Sequence, residues 1–90
     1  MIEARSLSKT FIARKKRRKE RIEAVREVSF ACRPGEIYGL LGANGAGKTT
    51  TLRMLATILK PTAGTAQVSG FDICRQPHQV RRHVGFLSTQ

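Results

Sequence analysis

The stretch Gly42-Ala43-Asn44-Gly45-Ala46-Gly47-Lys48-Thr49 constrains this chain more than any other. It fits the spacing G-x-x-x-x-G-K-[ST] of a loop that cradles phosphates. Such a loop wraps a polyphosphate in inward-pointing backbone N–H groups, and side chains would obstruct that approach. Gly42, Gly45 and Gly47 therefore suit it, and glycine also accepts positive φ. A helix opening near Gly47 adds the positive end of its dipole. Lys48 is expected to reach the β- and γ-phosphates as a point charge, and the Thr49 hydroxyl to ligate Mg²⁺. The bland alternative is a glycine-rich turn between a strand and a helix, and the flanks bear on the choice. The run Ile37-Tyr38-Gly39-Leu40-Leu41 reads as a buried strand over residues 36–41. Beyond the loop, Leu52, Leu55, Ala56 and Leu59 fall on one helical face, widened by Met54 and Ile58. Lys60 suits the C-terminal end of that helix, and Pro61 is expected to end it.

A chain of 90 residues makes one small domain or part of a larger one. It buries a limited core, and nucleotide-binding α/β domains are usually longer, so an incomplete domain is expected. The formal charge is +11. A large share of it sits in one run, Arg14-Lys15-Lys16-Arg17-Arg18-Lys19. Nothing near Met1 resembles a signal peptide, and no segment is long and apolar enough to cross a bilayer. The expected compartment is the cytoplasm. Cys32 and Cys74 fit no metal spacing and no disulfide framework, and both read as buried or half-buried thiols.

The rest of the chain reads as short elements. A first strand covers roughly Ile2 to Leu7. A second runs over residues 23–32, where Val28, Phe30 and Cys32 alternate with Ser29, Ala31 and Arg33. The two are expected to pair as an antiparallel hairpin tipped by the basic run. Arg33-Pro34-Gly35-Glu36 reads as a turn. After Pro61, residues 62–64 form a turn, residues 65–69 a short strand, and Gly70 closes it. Pro77 suits the first position of a short helix running to about Arg82. Val84-Gly85-Phe86-Leu87 reads as a last strand.

Taken together, these stretches resemble the ATP-binding subunits of ABC transporters. The residues from Arg33-Pro34-Gly35-Glu36 through Lys48-Thr49-Thr50 are close to that family's phosphate-loop region. Leu59-Lys60-Pro61-Thr62-Ala63-Gly64 resembles the segment after its first helix. Val68-Ser69-Gly70-Phe71-Asp72 resembles its next strand and turn. The likeness covers nearly all of the chain except residues 12–22. A weaker match points to subunits that pair with ABC-2-type permeases, including sodium- and drug-efflux systems. The fold this implies is α/β: an incomplete P-loop NTPase core of the ABC ATPase type with an N-terminal antiparallel β-hairpin. Residues 1–35 would form the hairpin region with its basic loop, and residues 36–90 the start of the P-loop core.

The resemblance also implies a site. Gly42, Ala43, Asn44, Gly45, Ala46, Gly47, Lys48, Thr49 and Thr50 would bind ATP, with Mg²⁺ on Thr49. The family stacks adenine on an aromatic residue near the end of its first strand, and Phe11 stands at that place. A hairpin aromatic packed into the core is the competing reading. The family's glutamine loop follows a strand like residues 84–87 and brings a glutamine to the metal and the attacking water. Gln90 is the candidate catalytic and metal-binding residue, one position beyond Thr89, where that glutamine is more often expected. His78 and His83 precede the last strand and read as surface or helix-end residues rather than the family's switch histidine. The 90 residues carry no acidic-ended Walker B strand and no signature sequence.

The implied activity is ATP hydrolysis that drives a permease, with a second ATP-binding subunit closing each site. The implied location is the inner face of the cell membrane. Other classes remain open. The basic run could make the chain a module for nucleic acid or anionic membrane, although no aromatic beyond Phe11 interleaves the cations, which disfavours nucleic acid. A cytosolic P-loop NTPase not coupled to a permease is the third reading.

Overall fold

The computed structural model describes residues 1–42 and 45–83. Among the described residues the frame is a four-stranded antiparallel sheet in the order β2-β1-β3-β4. The strands are β1 (Ile2–Lys15), β2 (Arg18–Cys32), β3 (Ala63–Val68) and β4 (Phe71–Asp72). Three α-helices accompany it: α1 (Ile37–Leu41), α2 (Gly45–Leu55) and α3 (Pro77–Arg81).

The sheet's buried face comes from period-two alternation, corrected at two places. On β1, Ile2 and Ala4 are buried, as is Leu7. Ala4 and Leu7 are three apart, so regular pleating would put them on opposite faces. A register shift lies between them, with Ser6 at φ 47°. On β2, Val25 and Val28 are likewise three apart, and Glu27 between them has φ 41°. Each bulge returns the following apolar residue to the core face. Serines on the facing strand hold both in place. The Ser6 N–H donates to Ser29 Oγ, and the Glu27 N–H to Ser8 Oγ, each at 2.9 Å.

The two long strands form the expected hairpin, and they are longer than their apolar patterns suggest. Pairing continues through Arg14↔Lys19 to Lys15↔Arg18, so the basic run both builds and closes the ribbon. β3 buries Ala66 and Val68 and pairs with β1 only from Ile2 to Ser8. Gly64 is required where it stands. Its φ is 84°, and a Cβ there would lie 2.1 Å from the Ser6 carbonyl oxygen. Ala63 and Gly64, expected in a turn, thus open β3, and the bulge on β1 and the start of β3 are one close approach.

Against this face pack Leu52, Met54 and Leu55 of α2, Val80 of α3, and Ile37 and Ile73. α2 stops earlier than expected. Its end is a Schellman motif. The Ile58 N–H donates to the Arg53 carbonyl at 2.9 Å and the Thr57 N–H to the Met54 carbonyl at 3.1 Å, with Thr57 left-handed at φ 66°. Pro61 therefore follows the helix without ending it. Ile58, counted on the apolar face, is 73% exposed because it lies beyond the cap. Arg81 Nε reaches back to Thr57 Oγ1 at 2.8 Å and ties α3 to that cap. Asp72 fixes the entry to α3. Its Oδ2 accepts from the backbone N–H groups of Cys74 and Arg75 at 2.8 Å each.

One expected element takes another form. Residues 36–41 are not a buried strand. Pro34–Glu36 is a 3₁₀ turn and Ile37–Leu41 a helix, with Ile37 buried and Leu40 exposed. A strand entering the phosphate loop needs neighbours to pair its N–H and C=O groups. The sheet offers none beside it among the described residues. A helical turn satisfies the same backbone locally. The expected strand over residues 84–87 lies outside the described residues.

Candidate functional site

The motif residues that are described sit at the start of α2, and the sequence explains why a helix starts there. Thr50 and Thr51 are buried and Leu52, Met54 and Leu55 follow, so one side of the helix is committed to the core from its first turns. Lys48 remains half-buried and Thr49 exposed. Gly42 ends α1's side of the loop with φ 62°, and a Cβ there would meet nothing within 4 Å. The space in front of the glycine is open, as a loop that admits a ligand to its backbone requires. Ala43 and Asn44 lie outside the described residues.

Gly47, Lys48 and Thr51 open onto a cavity of about 190 Å³. Its other wall is Ala24, Val25, Arg26 and Val28 of β2, with Leu41 of α1 at the end. Among the described residues the lining holds two cations and no carboxylate. Arg26 is oriented by Glu23, whose Oε2 accepts from Arg26 Nε at 2.6 Å. This donor set fits a phosphate: an ammonium, a guanidinium, a hydroxyl and the first turn of an eleven-residue helix. The volume is below the roughly 300–1,000 Å³ of pockets that enclose a whole small ligand. It suits part of a nucleotide. Among the described residues no group of three or more His, Cys, Asp and Glu side chains could hold a metal ion by itself. A metal there would depend on Thr49 and on the ligand's own oxygens.

The share taken by β2 was not expected from the sequence. Its signal is faint: Ala24 and Val25 look like ordinary strand residues, and only the fold sets them opposite Lys48. Phe11 is half-buried on β1, paired with Ile22, and Lys9 Nζ stands 5.2 Å from its ring centroid. It does not line the cavity beside Lys48. Thr50 is turned into the core rather than toward the cavity. Gln90, with Thr89, lies outside the described residues. His78 and His83 are exposed. His83 Nδ1 lies 2.8 Å from the Gln79 carbonyl and its ring 5.5 Å from that of Phe71, a helix-end role. Cys32 is buried, and burial pushes its thiol pKa up, with the Glu36 carboxylate adding to the rise. Cys74 is exposed rather than half-buried, because the turn that Asp72 organises lies on the surface.

A glycine-rich turn opening a helix, with a lysine beside a small cavity and an antiparallel sheet behind it, is the arrangement of the P-loop class of folds. The chain belongs to the ABC transporter family, whose profile matches residues 25–90. It is 49% identical over 70 residues to the ABC transporter ATP-binding protein NatA of Bacillus subtilis, covering 78% of this chain and 28% of that protein. It is 41% identical over 88 residues to the probable multidrug ABC transporter ATP-binding protein YbhF of Escherichia coli, covering 98% of this chain and 14% of that one. Its fold is like that of the ATP-binding cassette MJ0796, solved as a dimer in a post-hydrolysis state bound to ADP and Pi. The TM-score is 0.66 at 22% identity, over 91% of this chain and 35% of that one. The chain thus spans between about a seventh and about a third of the length of these proteins.

Proposed function

We propose that this chain binds ATP through residues 42–50 and forms the phosphate-binding part of an ABC transporter ATPase. The observation that carries the reading is Lys48, which stands in the G-x-x-x-x-G-K-[ST] stretch at the start of α2 and beside a cavity whose described lining has cations and no acid. Gly42, Ala43, Asn44, Gly45, Ala46 and Gly47 would give their backbone to the phosphates. Thr49, exposed at the next position, would hold Mg²⁺ with the phosphate oxygens, and Thr50 would brace the turn from the core side. Phe11 would carry the adenine and Gln90 would serve the metal and the water. Held there, Mg²⁺ would supply positive charge to offset the negative charge that develops in phosphoryl transfer.

In the whole protein, hydrolysis would drive a permease. A second ATP-binding subunit would complete each site, and the assembly would sit at the inner face of the membrane. An efflux role with an ABC-2-type permease is the narrower reading, supported by the name of the multidrug relative. The test is ATP binding by the chain with and without Lys48→Ala. We expect at least a tenfold loss of affinity, about 1.4 kcal/mol or more, with an unchanged circular dichroism spectrum. Equal affinity in the two would remove the phosphate-loop assignment.

A further inference from the structure

Past Ser8 the sheet narrows to two strands. β3 leaves β1 there, and the last support is a clasp from the loop after α2. Lys9 Nζ donates to the Lys60 carbonyl at 2.7 Å and the Thr10 N–H to Thr62 Oγ1 at 2.9 Å. From the Phe11↔Ile22 pair outward to the turn at Lys16-Arg17, β1 and β2 pair only with each other among the described residues. Directly opposed residues share a face, and faces alternate along the strand. The register therefore places Ile12 with Arg21 and Arg14 with Lys19 on one face, and Phe11 with Ile22, Ala13 with Glu20 and Lys15 with Arg18 on the other. The first face has an isoleucine that is 64% exposed, ringed by three cations. The next acid on that face, Glu23, is already paired with Arg26. At the tip, Arg14, Lys16, Arg17, Arg18 and Lys19 line a depression of about 200 Å³ with no acidic side chain. Two-residue turns with a positive φ ordinarily use Asn or Gly; here Lys16 takes φ 56°.

We propose that the Ile12 face of this ribbon docks on a membrane surface rich in anionic phospholipid. Ile12 enters the boundary between headgroups and acyl chains, and the cations at positions 14, 19 and 21 and at the tip meet the headgroup phosphates. An amphipathic surface with a basic rim is what an anionic interface selects, with apolar burial and charge attraction adding together. A nucleic acid backbone would use the same cations but would give the isoleucine nothing. The face also lacks an aromatic on which a base could stack, since Phe11 is on the opposite side. The proposal is independent of nucleotide binding.

Flotation with phosphatidylcholine vesicles, with and without about one third phosphatidylserine, tests it, because aggregated protein does not float. The complete chain should float with the anionic vesicles only, and less as salt rises. The triple variant Arg14→Gln/Lys19→Gln/Arg21→Gln should lose about a hundredfold in affinity, at roughly fivefold per cation. Ile12→Ser should weaken flotation several-fold, while Ile22→Ser, on the other face and itself 50% exposed, should not. Equal flotation with neutral vesicles, or equal effects of the two isoleucine variants, would overturn the proposal. So would tighter binding to duplex DNA that the triple variant weakens and Ile12→Ser leaves alone, which would assign the face to nucleic acid.

Discussion

Two residues show how position changes what a side chain can do. Phe11 has the right place on the first strand to carry an adenine, yet its described neighbours are Ile22 across the ribbon and the Lys9 ammonium. If it stacks on the base, Phe11→Ala should weaken ATP binding by about 1–3 kcal/mol and Tyr should substitute well. An Ala variant with unchanged affinity and a lower melting temperature would make Phe11 a packing residue. Cys32 offers a pH test. Its thiol is raised above the ordinary value of 9.0, first by burial and then by Glu36, with the N-terminal ammonium opposing. The folded chain thus holds its proton longer than the unfolded chain does. Below that ordinary value both states are protonated and stability from this group is constant. As pH climbs through it, the unfolded chain ionises first, and stability falls until the folded thiol also titrates. Between pH of about 8 and about 10, Cys32→Ala should lose less stability in urea than the wild type. Identical losses would clear the thiol of any part in the alkaline limb.

At the scale of elements, the decisive contact is the start of β3 lying on the bulge of β1. Gly64 and Gly42 both have positive φ, and the sequence reads both as loop or turn glycines. Their surroundings differ. A Cβ at Gly64 would collide with the Ser6 and Arg5 backbone, whereas one at Gly42 would meet nothing within 4 Å. Gly42→Ala should therefore cost only the left-handed penalty, about 1–2 kcal/mol. Gly64→Ala carries the same penalty and must also part β1 from β3, so it should cost more than about 3 kcal/mol. Chemical denaturation of the two variants checks this, and equal costs would mean that the close approach at Ser6 relaxes freely. The sequence marks both glycines as turn residues. It does not tell them apart, because the partner of Gly64 is more than fifty residues away.

For the whole molecule, the question is which steps of ATP turnover these residues can support. On the proposed reading, the start of α2 would hold phosphates through Lys48 and a metal through Thr49. The 90 residues contain no acidic-ended apolar strand and no signature-like stretch, the parts that in this family polarise water and close a partner's site. Phosphoryl transfer depends on all of these being positioned together. The chain by itself should release phosphate from Mg²⁺-ATP no faster than its Lys48→Ala version. Turnover above that control by a monomer would mark it as a complete small NTPase and remove the transporter reading. The described sheet also ends in open edges at β2 and β4, and unpaired edges invite association. Light scattering should show the purified chain self-associating as its concentration rises.

The sequence by itself determined the features that rest on neighbouring residues. The glycine spacing from Gly42 to Thr49, the helical stripe through Leu52 and Leu55, the hairpin with its basic tip and the short helix begun by Pro77 all follow from local periodicity and backbone preference. Tertiary structure decided whatever depends on a distant partner. The bulges at Ser6 and Glu27 exist because both strands must return Leu7 and Val28 to one buried face, with serines across the hairpin to hold them. Residues 37–41 are apolar enough for a strand, but a strand is defined by its neighbours, and with none described beside them they coil into α1. α2 ends at Leu55 through a cap closed from Thr57 and Ile58, well before Pro61. Lys48 could be named from the loop alone. That it faces Ala24, Val25 and Arg26 could not, because only the packing of α2 on β2 brings those residues within reach.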